Sequence, residues 1–398
     1  MLKGNAIIGQ SGGPTSVINA SLVGIIHGAK AFDGIEKVLG MRFAIEGLLA
    51  GDIIDLDKES SETIDQLKFT PSSALGTCRH KLQEPDLPIC LEMLKKHHIR
   101  YMFLIGGNDT MDTICRLERY ARQNNYDLVG IGVPKTVDND LFGTDHTPGF
   151  PSAARYNAVS VMQAGLLARD MQKADPFVIF QTVGRDAGWL VAACAAGKKT
   201  PTDPPHILCI PERPFEKEKF LNDVKHFYDK IGWVSIACGE GICFADGTPV
   251  SRSATSDPFD NPNFGAKGGV SAALELHKMI SQKFNLRGEF QIPESLPMCA
   301  ADRAVQQDID EAYMCGQAAV ELAKQGKSGL MVTLEREPGT EYKCTTGAVA
   351  LDQVAVKAKP MPDEYINDQG NHITEACMNY LKPLIGDLPR YTNLSCRS

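Results

Sequence analysis

The sequence predicts an α/β protein made of two similar doubly wound lobes, each with a largely parallel sheet, and an active site in the cleft between the lobes. Two observations support this prediction. Short apolar segments of strand length alternate with longer segments of helical periodicity through most of the 398 residues. Glycine-rich turns follow several of the predicted strands, where open parallel sheets bind their ligands.

The first lobe begins with a strand at Ala6 to Gly9, a glycine-rich turn at Gln10 to Pro14 and a helix at Thr15 to Lys30. Apolar residues lie on one face of that helix, which is typical of a helix packed on a sheet. The same order of elements recurs in three further segments. These segments are residues 35–48, 89–110 and 126–140.

The second lobe follows a helix predicted at Ser152 to Gln172. Its strands are separated by turns and helices, as in the first lobe. The predicted strands are Phe177 to Thr182, Ile207 to Pro211 and Val234 to Gly239. The stretch Asp246 to Gly268 is rich in Pro, Asn, Asp and Ser, so we expect a long loop or insertion there.

Charge and composition exclude several classes of function. The chain has 41 Lys and Arg against 49 Asp and Glu, a net charge of −8, which argues against general affinity for nucleic acid or anionic membranes. The 12 cysteines are scattered without a CxxC pair, so we expect reduced thiols and a cytoplasmic protein. Neither a signal peptide nor an apolar run of ~18 residues is recognisable, so no membrane span is expected.

Two junctions between a strand and a loop carry residues suited to phosphate chemistry. The strand Tyr101 to Ile105 is followed by Gly106-Gly107-Asn108-Asp109-Thr110, which offers free backbone N–H groups at a helix start. The strand Leu128 to Val133 is followed by Pro134-Lys135-Thr136-Val137-Asp138-Asn139-Asp140. Two carboxylates beside a lysine suit phosphoryl transfer, which needs cationic and backbone contacts to the donor, a metal and a carboxylate base.

These junctions also have purely structural interpretations. The pairs Gly12-Gly13 and Gly106-Gly107 could form tight connections only, and the two aspartates could cap the next turn. The first turn is neither a Walker A sequence nor a full GxGxxG fingerprint, which disfavours a Rossmann dehydrogenase. Three junctions at one sheet edge, together with Lys135, favour the catalytic interpretation.

In order and spacing, these motifs resemble those of phosphofructokinases. The shared segments are Gly9-Gln10-Ser11-Gly12-Gly13-Pro14, the Gly-Gly-Asn-Asp-Thr turn, the Pro-Lys-Thr-Val-Asp-Asn-Asp loop, and Gly184-Arg185 followed by Ala187-Gly188-Trp189. The resemblance covers most of the chain. It implies a glycolytic phosphotransferase that uses Mg²⁺, acts on a sugar or sugar phosphate, and assembles as a homodimer or homotetramer.

Two positions separate ATP users from pyrophosphate users within that family. The ATP enzymes carry glycine at the second position after the Gly-Gly pair and again before the threonine of the Asp-Asn-Asp loop. This chain has Asp109 and Lys135 there, as in the pyrophosphate-dependent branch. An aspartate would occupy the space of the nucleotide's α-phosphate and repel it, whereas a lysine offers an ammonium to a small, highly charged donor.

The resemblance also implies roles for individual residues. The catalytic residues are Asp138 as the base, Asp140, Arg79 and Lys135. The pyrophosphate contacts are Gly12, Gly107, Asn108, Asp109, Thr110 and Lys135. The acceptor contacts are Thr136, Asp138, Val183, Gly184, Arg185 and Glu240. The metal ligands are Asn108, Asp138 and Asp140.

The resemblance implies that one lobe binds the phosphoryl donor and the other binds the acceptor. A donor-binding lobe would comprise residues 1–150 with about 300–345, and an acceptor-binding lobe residues 151–299 with about 346–398.

At several positions, this sequence departs from the family pattern. Asn108 replaces a metal-associated aspartate, and Val183 replaces a methionine beside the sugar. Pro176 and Pro297-Met298 stand where the family has an arginine and a Gln-Arg pair for a sugar 6-phosphate.

Three hypotheses about function follow from the sequence. The first is a pyrophosphate-dependent phosphofructokinase that converts fructose 6-phosphate to fructose 1,6-bisphosphate. The second is a pyrophosphate-dependent kinase of the same fold with another acceptor, such as a different sugar phosphate or an unphosphorylated sugar, polyol or nucleoside. The third is a non-catalytic sensor of a phosphate ligand, which the intact pair Asp138 and Asp140 disfavours.

Overall fold

The structure is a computed structural model that describes residues 2–251, 271–339, 341–355 and 358–392. Its chain divides into two compact units. Unit 1 is Met1–Ala153 with Leu296–Lys359, and unit 2 is Ala154–Ser295 with Pro360–Ser398. Most of the loop predicted at Asp246 to Gly268 lies outside the described residues.

Unit 1 contains seven strands and seven complete helices among its described residues. The strands are β1 (Gly4–Gln10), β2 (Ile35–Met41), β3 (Ile53–Asp55), β4 (Ile99–Gly106), β5 (Val129–Pro134), β10 (Leu330–Arg336) and β11 (Cys344–Ala350). The helices are α1 (Ile18–Lys30), α2 (Ala44–Ala50), α3 (Ser61–Leu67), α4 (Asp86–Lys96), α5 (Asn108–Gln123), α10 (Gln306–Lys324) and α11 (Leu351–Ala355). Helix α6 (Phe150–Asp170) begins in unit 1 and continues into unit 2.

Unit 2 contains four strands in its described part. They are β6 (Phe177–Thr182), β7 (Ile207–Cys209), β8 (Val234–Gly239) and β9 (Glu289–Gln291). Its further helices are α7 (Trp189–Cys194), α8 (Lys217–Ile231), α9 (Ala272–Phe284) and α12 (Glu375–Ile385).

The unit 1 sheet has the strand order β11-β10-β5-β4-β1-β2-β3 within the described residues. Only the outer pairs β2–β3 and β10–β11 are antiparallel. Residues of β4 alternate between the two faces, as a strand requires. Met102 and Leu104 pack in the core that contains α4 and α5, and Phe103 packs in the core that contains α1 and α10. The sheet is therefore covered on both faces.

The unit 2 sheet has the order β7-β8-β6-β9, and every pairing in its described part is parallel. Phe177 and Ile179 pack in the core with α8 and α9. Between them along β6, Val178 packs with Ala164 and Ala168 of α6 on the opposite face. The predicted α/β class with two largely parallel sheets is confirmed.

Some predicted boundaries differ from the structure. Helix α1 starts at Ile18, not at Thr15, because Thr15 is engaged elsewhere: its carbonyl accepts from the backbone N–H of Ser72 at 3.2 Å. Strand β7 ends at Cys209, short of Pro211, a residue that has no N–H to donate to a neighbouring strand.

The pairing state of the cysteines and the length of the helices can be read from the described residues. Each described cysteine is free. Within the described part of the chain, no helix is both long enough and apolar enough to cross a membrane.

Glycines allow α1 and α10 to pack closely on one face of the unit 1 sheet. A Cβ at Gly24 would lie 2.2 Å from the carbonyl oxygen of Tyr313, and a Cβ at Gly316 would lie 2.2 Å from that of Ser21. Both obstructing atoms belong to the backbone of the facing helix. The two helices can therefore keep this distance only with glycine at both positions.

Replacing Gly316 with alanine should destabilise the protein by roughly 1–3 kcal/mol, the usual cost of overpacking a core. Alanine is intrinsically the better helix former by about 1 kcal/mol, so a loss of stability reports the crowding alone. Denaturant unfolding measures the change. The control is Gln317→Ala, at an exposed neighbouring position. Stabilisation by Gly316→Ala would contradict this packing.

Candidate functional site

Three strand ends meet at one edge of the unit 1 sheet. Strands β1 and β4 are parallel neighbours, with Gln10 opposite Ile105. Strands β4 and β5 are also parallel neighbours, with Gly106 opposite Pro134. The glycine turn after β1, the start of α5 after β4 and the aspartate loop after β5 therefore lie side by side, as the sequence predicts.

The glycine turn is bonded to groups from two other segments. The ammonium of Lys135 donates to the carbonyl oxygen of Gly13 at 2.6 Å. The hydroxyl of Thr77 donates to the carbonyl oxygen of Gly12 at 2.6 Å, which ties the segment carrying Arg79 to the same turn. Gly12 has φ +77°, a left-handed conformation that favours glycine, and a Cβ there would lie 3.3 Å from the Lys135 ammonium.

Lys135 is the central charge of this edge. Its side chain is buried, with 4% of the residue exposed. Burial lowers the pKa of Lys135 to about 8, with Asp138 and Asp140 opposing the shift and Arg79 adding to it. The structure therefore brings together the four residues assigned to catalysis from the sequence. Arg79 is exposed, so its guanidinium is accessible to a ligand.

The start of α5 offers donors and one unpaired acceptor. Gly107 is the N-cap, and no side chain caps the helix. A Cβ at Gly106 would lie 2.1 Å from the hydroxyl of Thr110, so glycine is needed there for the helix to begin against the strand. The side-chain oxygen of Asn108 is buried and has no hydrogen-bond partner within the described structure. Asp109 is exposed in the first turn.

The aspartate loop turns sharply between its two carboxylates. Asn139 is buried and has φ +56°. The hydroxyl of Thr136 accepts from the backbone N–H of Asp138 at 3.1 Å and bonds the carboxylate of Asp140. Burial raises the pKa of Asp140, while its hydrogen bonds and the charges of Lys359 and Lys135 oppose that rise.

The oxygen-rich composition of this edge fits a hard divalent cation. Two carboxylates and the unpaired amide oxygen of Asn108 are ligands that Mg²⁺ accepts, and Mg²⁺ usually takes further oxygens from water or phosphate. No group of three or more His, Cys, Asp or Glu side chains in the described residues is arranged to hold a metal. A cation here would therefore depend on Asn108 and on ligand oxygens.

One residue at this edge was missed by the sequence analysis. Lys359 follows β11 and α11, and its ammonium donates to the carbonyl oxygens of Asp145 at 2.7 Å and Thr144 at 3.1 Å. Its backbone N–H donates to the carbonyl oxygen of Asp140 at 2.7 Å. Lys359 lies more than 200 positions from its partners, and no local pattern around it indicates a site.

Unit 2 has its own candidate residues at the carboxyl end of β6. One carboxylate oxygen of Glu240 accepts from the backbone N–H groups of Gly184 and Arg185, both at 3.3 Å. Burial raises the pKa of Glu240, and these bonds oppose the rise. Gly184 has φ +129° and Arg185 has φ +43°, so the turn after Val183 is unusually bent. Glu240 therefore holds the Gly-Arg turn, a contact that spacing alone did not indicate.

The two positions with unexpected residues, Pro176 and Met298, lie in different units. Pro176 precedes β6, and its carbonyl oxygen accepts from the N–H of Val234 at 2.8 Å. Gly184 lies past the other end of β6, and the strand alone spans ~17 Å at about 3.3 Å per residue. Met298 belongs to unit 1, and its methyl group lies 2.5 Å from the site of a Cβ on Gly13. It therefore packs against the glycine turn.

Comparisons with known proteins indicate one family for this chain. The family described as phosphofructokinase matches residues 5–311. A pyrophosphate–fructose 6-phosphate 1-phosphotransferase of Halomonas elongata is 37% identical over 99% of this chain and 95% of its own. A sulfofructose kinase of Alkalicoccus urumqiensis is 31% identical over 96% of this chain and 95% of its own. The crystal structure of a pyrophosphate-dependent phosphofructokinase from Nitrosospira multiformis matches with TM-score 0.88 and 35% identity, covering 98% of this chain and 94% of that one.

Substituting Lys135 with methionine should change how stability depends on pH. The pKa of Lys135 is about 8 in the folded protein and ordinarily 10.5, so between these values the unfolded chain binds a proton that the folded chain has lost. The free energy of unfolding of the wild type should therefore rise with pH relative to Lys135→Met, by at most ~1.4 kcal/mol per pH unit. Denaturant unfolding at pH 7.5 to 9.5 measures this difference. A difference that stays constant across the range would refute the depressed pKa.

Proposed function

The chain belongs to the phosphofructokinase family, and we propose that it transfers a phosphoryl group from pyrophosphate to fructose 6-phosphate, forming fructose 1,6-bisphosphate and phosphate. The relatives named for this activity match nearly the whole chain. The observation that carries the donor assignment is the ammonium of Lys135, buried and bonded to the Gly12-Gly13 turn. It supplies a fixed positive charge to a compact anion.

The donor site is assigned to the glycine turn and the start of α5 in unit 1. Pyrophosphate would accept from backbone N–H groups at Gly12, Gly107 and Asn108, since anions bind well at an uncapped helix start. Lys135 and Arg79 would neutralise its oxygens. Asp109 and Thr110 complete the expected set, with the Asp109 carboxylate placed to repel the longer phosphate chain of a nucleotide.

The base is assigned to Asp138. Its carboxylate would accept the proton of the acceptor hydroxyl as that oxygen bonds to the nearer phosphorus, and the bridging bond of pyrophosphate would break to release phosphate. The carboxylate of Asp140 is held by a hydrogen bond from the side chain of Thr136. We therefore assign orientation of the loop and of a metal ligand to Asp140, and proton transfer to Asp138. The reaction is expected to run in both directions.

Phosphofructokinases generally use a divalent cation, and we propose Mg²⁺ for this chain. Asn108, Asp138 and Asp140 would hold it together with pyrophosphate oxygens, and the unpaired amide oxygen of Asn108 supports that assignment. When bound, the cation would offset negative charge on the transferred phosphoryl group and the leaving phosphate. The side chains of Lys135 and Arg79 would offset the same negative charge.

The acceptor residues of unit 2 are assigned to the turn after β6. Val183, Gly184 and Arg185 form this turn, and Glu240 holds it through two backbone N–H groups. The second carboxylate oxygen of Glu240 is the group assigned to a sugar hydroxyl. Assembly as a homodimer or homotetramer and a cytoplasmic location remain predictions from the sequence.

A second candidate acceptor is favoured by specific observations. Met298 places a methyl group against the glycine turn, at a position where the family carries an arginine for the sugar phosphate. One relative that covers 96% of this chain is named sulfofructose kinase. An acceptor with a different group at carbon 6 therefore remains a defined alternative to fructose 6-phosphate.

Turnover of acceptors with pyrophosphate and Mg²⁺ tests the proposed function. Fructose 6-phosphate should give fructose 1,6-bisphosphate and phosphate with the highest kcat/KM of a panel. The panel should include sulfofructose, fructose, sedoheptulose 7-phosphate and a nucleoside, because specificity is a ratio of kcat/KM values. A higher kcat/KM for sulfofructose would transfer the assignment to the second candidate. Absence of phosphate release with every acceptor would refute a pyrophosphate-dependent kinase.

Replacing Asp138 with asparagine should lower kcat by ~10²–10⁴, the usual loss when a general base is removed. The shape of the side chain is kept, so pyrophosphate should still bind. The matched control is Asp127→Asn, because Asp127 is exposed and precedes β5 at the opposite end of the same strand. The assignment of the base fails if Asp138→Asn retains a third of the wild-type kcat.

A further inference from the structure

Lys359 bonds both to the aspartate loop and to the segment that follows it. Its ammonium donates to the carbonyl oxygens of Thr144 and Asp145 at 3.1 and 2.7 Å, and to the side-chain oxygen of Asn139 at 3.4 Å. Its backbone N–H donates to the carbonyl oxygen of Asp140 at 2.7 Å. One residue thus links the turn that carries the two aspartates to the segment that follows it.

The segment at Thr144 and Asp145 is itself firmly anchored to β10. The hydroxyl of Thr144 accepts from the N–H of Leu334 at 2.9 Å, and the N–H of Asp145 donates to the carbonyl oxygen of Leu334 at 2.8 Å. The carboxylate of Asp145 also bonds Arg336 at 3.0 Å and the buried His146 at 2.9 Å. Lys359 therefore ties the aspartate turn to a segment that is itself hydrogen-bonded to β10.

The turn is held by contacts at Thr136 and Asn139 as well as by Lys359. Asn139 has φ +56°, and its side-chain oxygen accepts from the N–H of Thr147 at 3.2 Å in addition to Lys359. A left-handed residue between Asp138 and Asp140 sets the directions of both neighbouring side chains. Such a conformation persists when surrounding contacts determine it. The contacts of Lys359 at Asn139 and Asp140 act on that conformation directly.

Burying an ammonium is costly unless it is paired and hydrogen-bonded. Burial lowers the pKa of Lys359 to about 8, with the carboxylates of Asp145 and Asp140 opposing the shift. The two hydrogen bonds to backbone carbonyls would equally satisfy a purely structural lysine. The bonds to Asn139 and Asp140 place this lysine at the turn that carries the proposed base.

We infer that Lys359 is a positioning residue for phosphoryl transfer: by fixing Asn139 and Asp140 against Thr144 and Asp145, it sets the orientation of the Asp138 and Asp140 carboxylates. This inference rests on the proposed function of the aspartate loop. Lys359 is assigned no contact with either substrate. Its loss should therefore affect turnover more than substrate binding.

The test compares Lys359→Met with a matched variant, Lys198→Met. Lys198 lies in unit 2, and its ammonium also donates to three backbone carbonyls, those of Pro201, Asp203 and Pro205. Burial likewise lowers the pKa of Lys198 to about 8. The two substitutions therefore remove the same kind of interaction, at the aspartate loop in one case and outside unit 1 in the other.

Two readouts separate positioning from general stability. Lys359→Met should lower kcat about 100-fold, the scale expected when reacting groups are misplaced by about 1 Å, while KM for pyrophosphate stays within a factor of about three. Amide hydrogen exchange of residues 136–149 should become at least tenfold faster in Lys359→Met and should be unchanged in Lys198→Met. Both variants should show comparable losses of Tm.

Each contrary result has a distinct meaning. A kcat for Lys359→Met no lower than that of Lys198→Met would overturn the inference, as would unchanged exchange at residues 136–149. If the wild type turns over no acceptor with pyrophosphate, the proposed function fails. The exchange measurement then still decides whether Lys359 orders the loop.

Discussion

The donor side of unit 1 depends on a single buried charge, the ammonium of Lys135. It bonds the carbonyl oxygen of Gly13 and lies within electrostatic range of Asp138, Asp140 and Arg79. This bond joins the turn after β1 to the loop after β5, on either side of the helix start after β4. An ammonium held in this way cannot move away from its neighbours, so it pre-orders the edge for a compact anion. A chain with net charge −8 thereby holds two cationic side chains, Lys135 and Arg79, at one sheet edge.

A second lysine, Lys359, bonds backbone carbonyls beside the aspartate loop in a similar way. Lys359 is partly buried, also has a pKa of about 8, and also bonds backbone carbonyls close to a proposed catalytic carboxylate. Buried lysines are rare because of the cost of removing the charge from water. One buried and one partly buried lysine bonded around this loop indicate that its conformation is closely determined. A phosphoryl donor and a divalent cation would each interact with charges that the fold has already placed.

Much of the fold and of the donor site could be predicted from the sequence. Strands β6 and β8 were predicted with their observed ends, since continuous apolar runs between turn residues define buried parallel strands. The residues after β1, β4 and β5 were predicted to meet because parallel strands place their carboxyl ends at one edge. The start of α1 could not be predicted, because Thr15 is fixed by a contact with Ser72 that leaves no local signal.

Contacts between distant segments account for the rest. Lys359 bonds residues more than 200 positions away, and its neighbours in sequence show no motif. The bond of Glu240 to Gly184 and Arg185 likewise spans more than 50 positions. Spacing puts Met298 where the family carries an arginine for the sugar phosphate, but it could not show that the Met298 methyl group packs on Gly13 in unit 1. Side-chain placement of this kind follows from tertiary packing, which spacing in one sequence does not encode.

Calorimetric titration of the protein with pyrophosphate and with ATP, in Mg²⁺ and without acceptor, tests the central claim most directly. If the buried Lys135 ammonium and the Asp109 carboxylate define the donor, pyrophosphate should bind at least ~100-fold more tightly than ATP, a difference of about 2.7 kcal/mol. Lys135→Met should lose most of the affinity for pyrophosphate. Binding of ATP as tight as that of pyrophosphate, or a Lys135→Met variant that binds pyrophosphate like the wild type, would contradict the account.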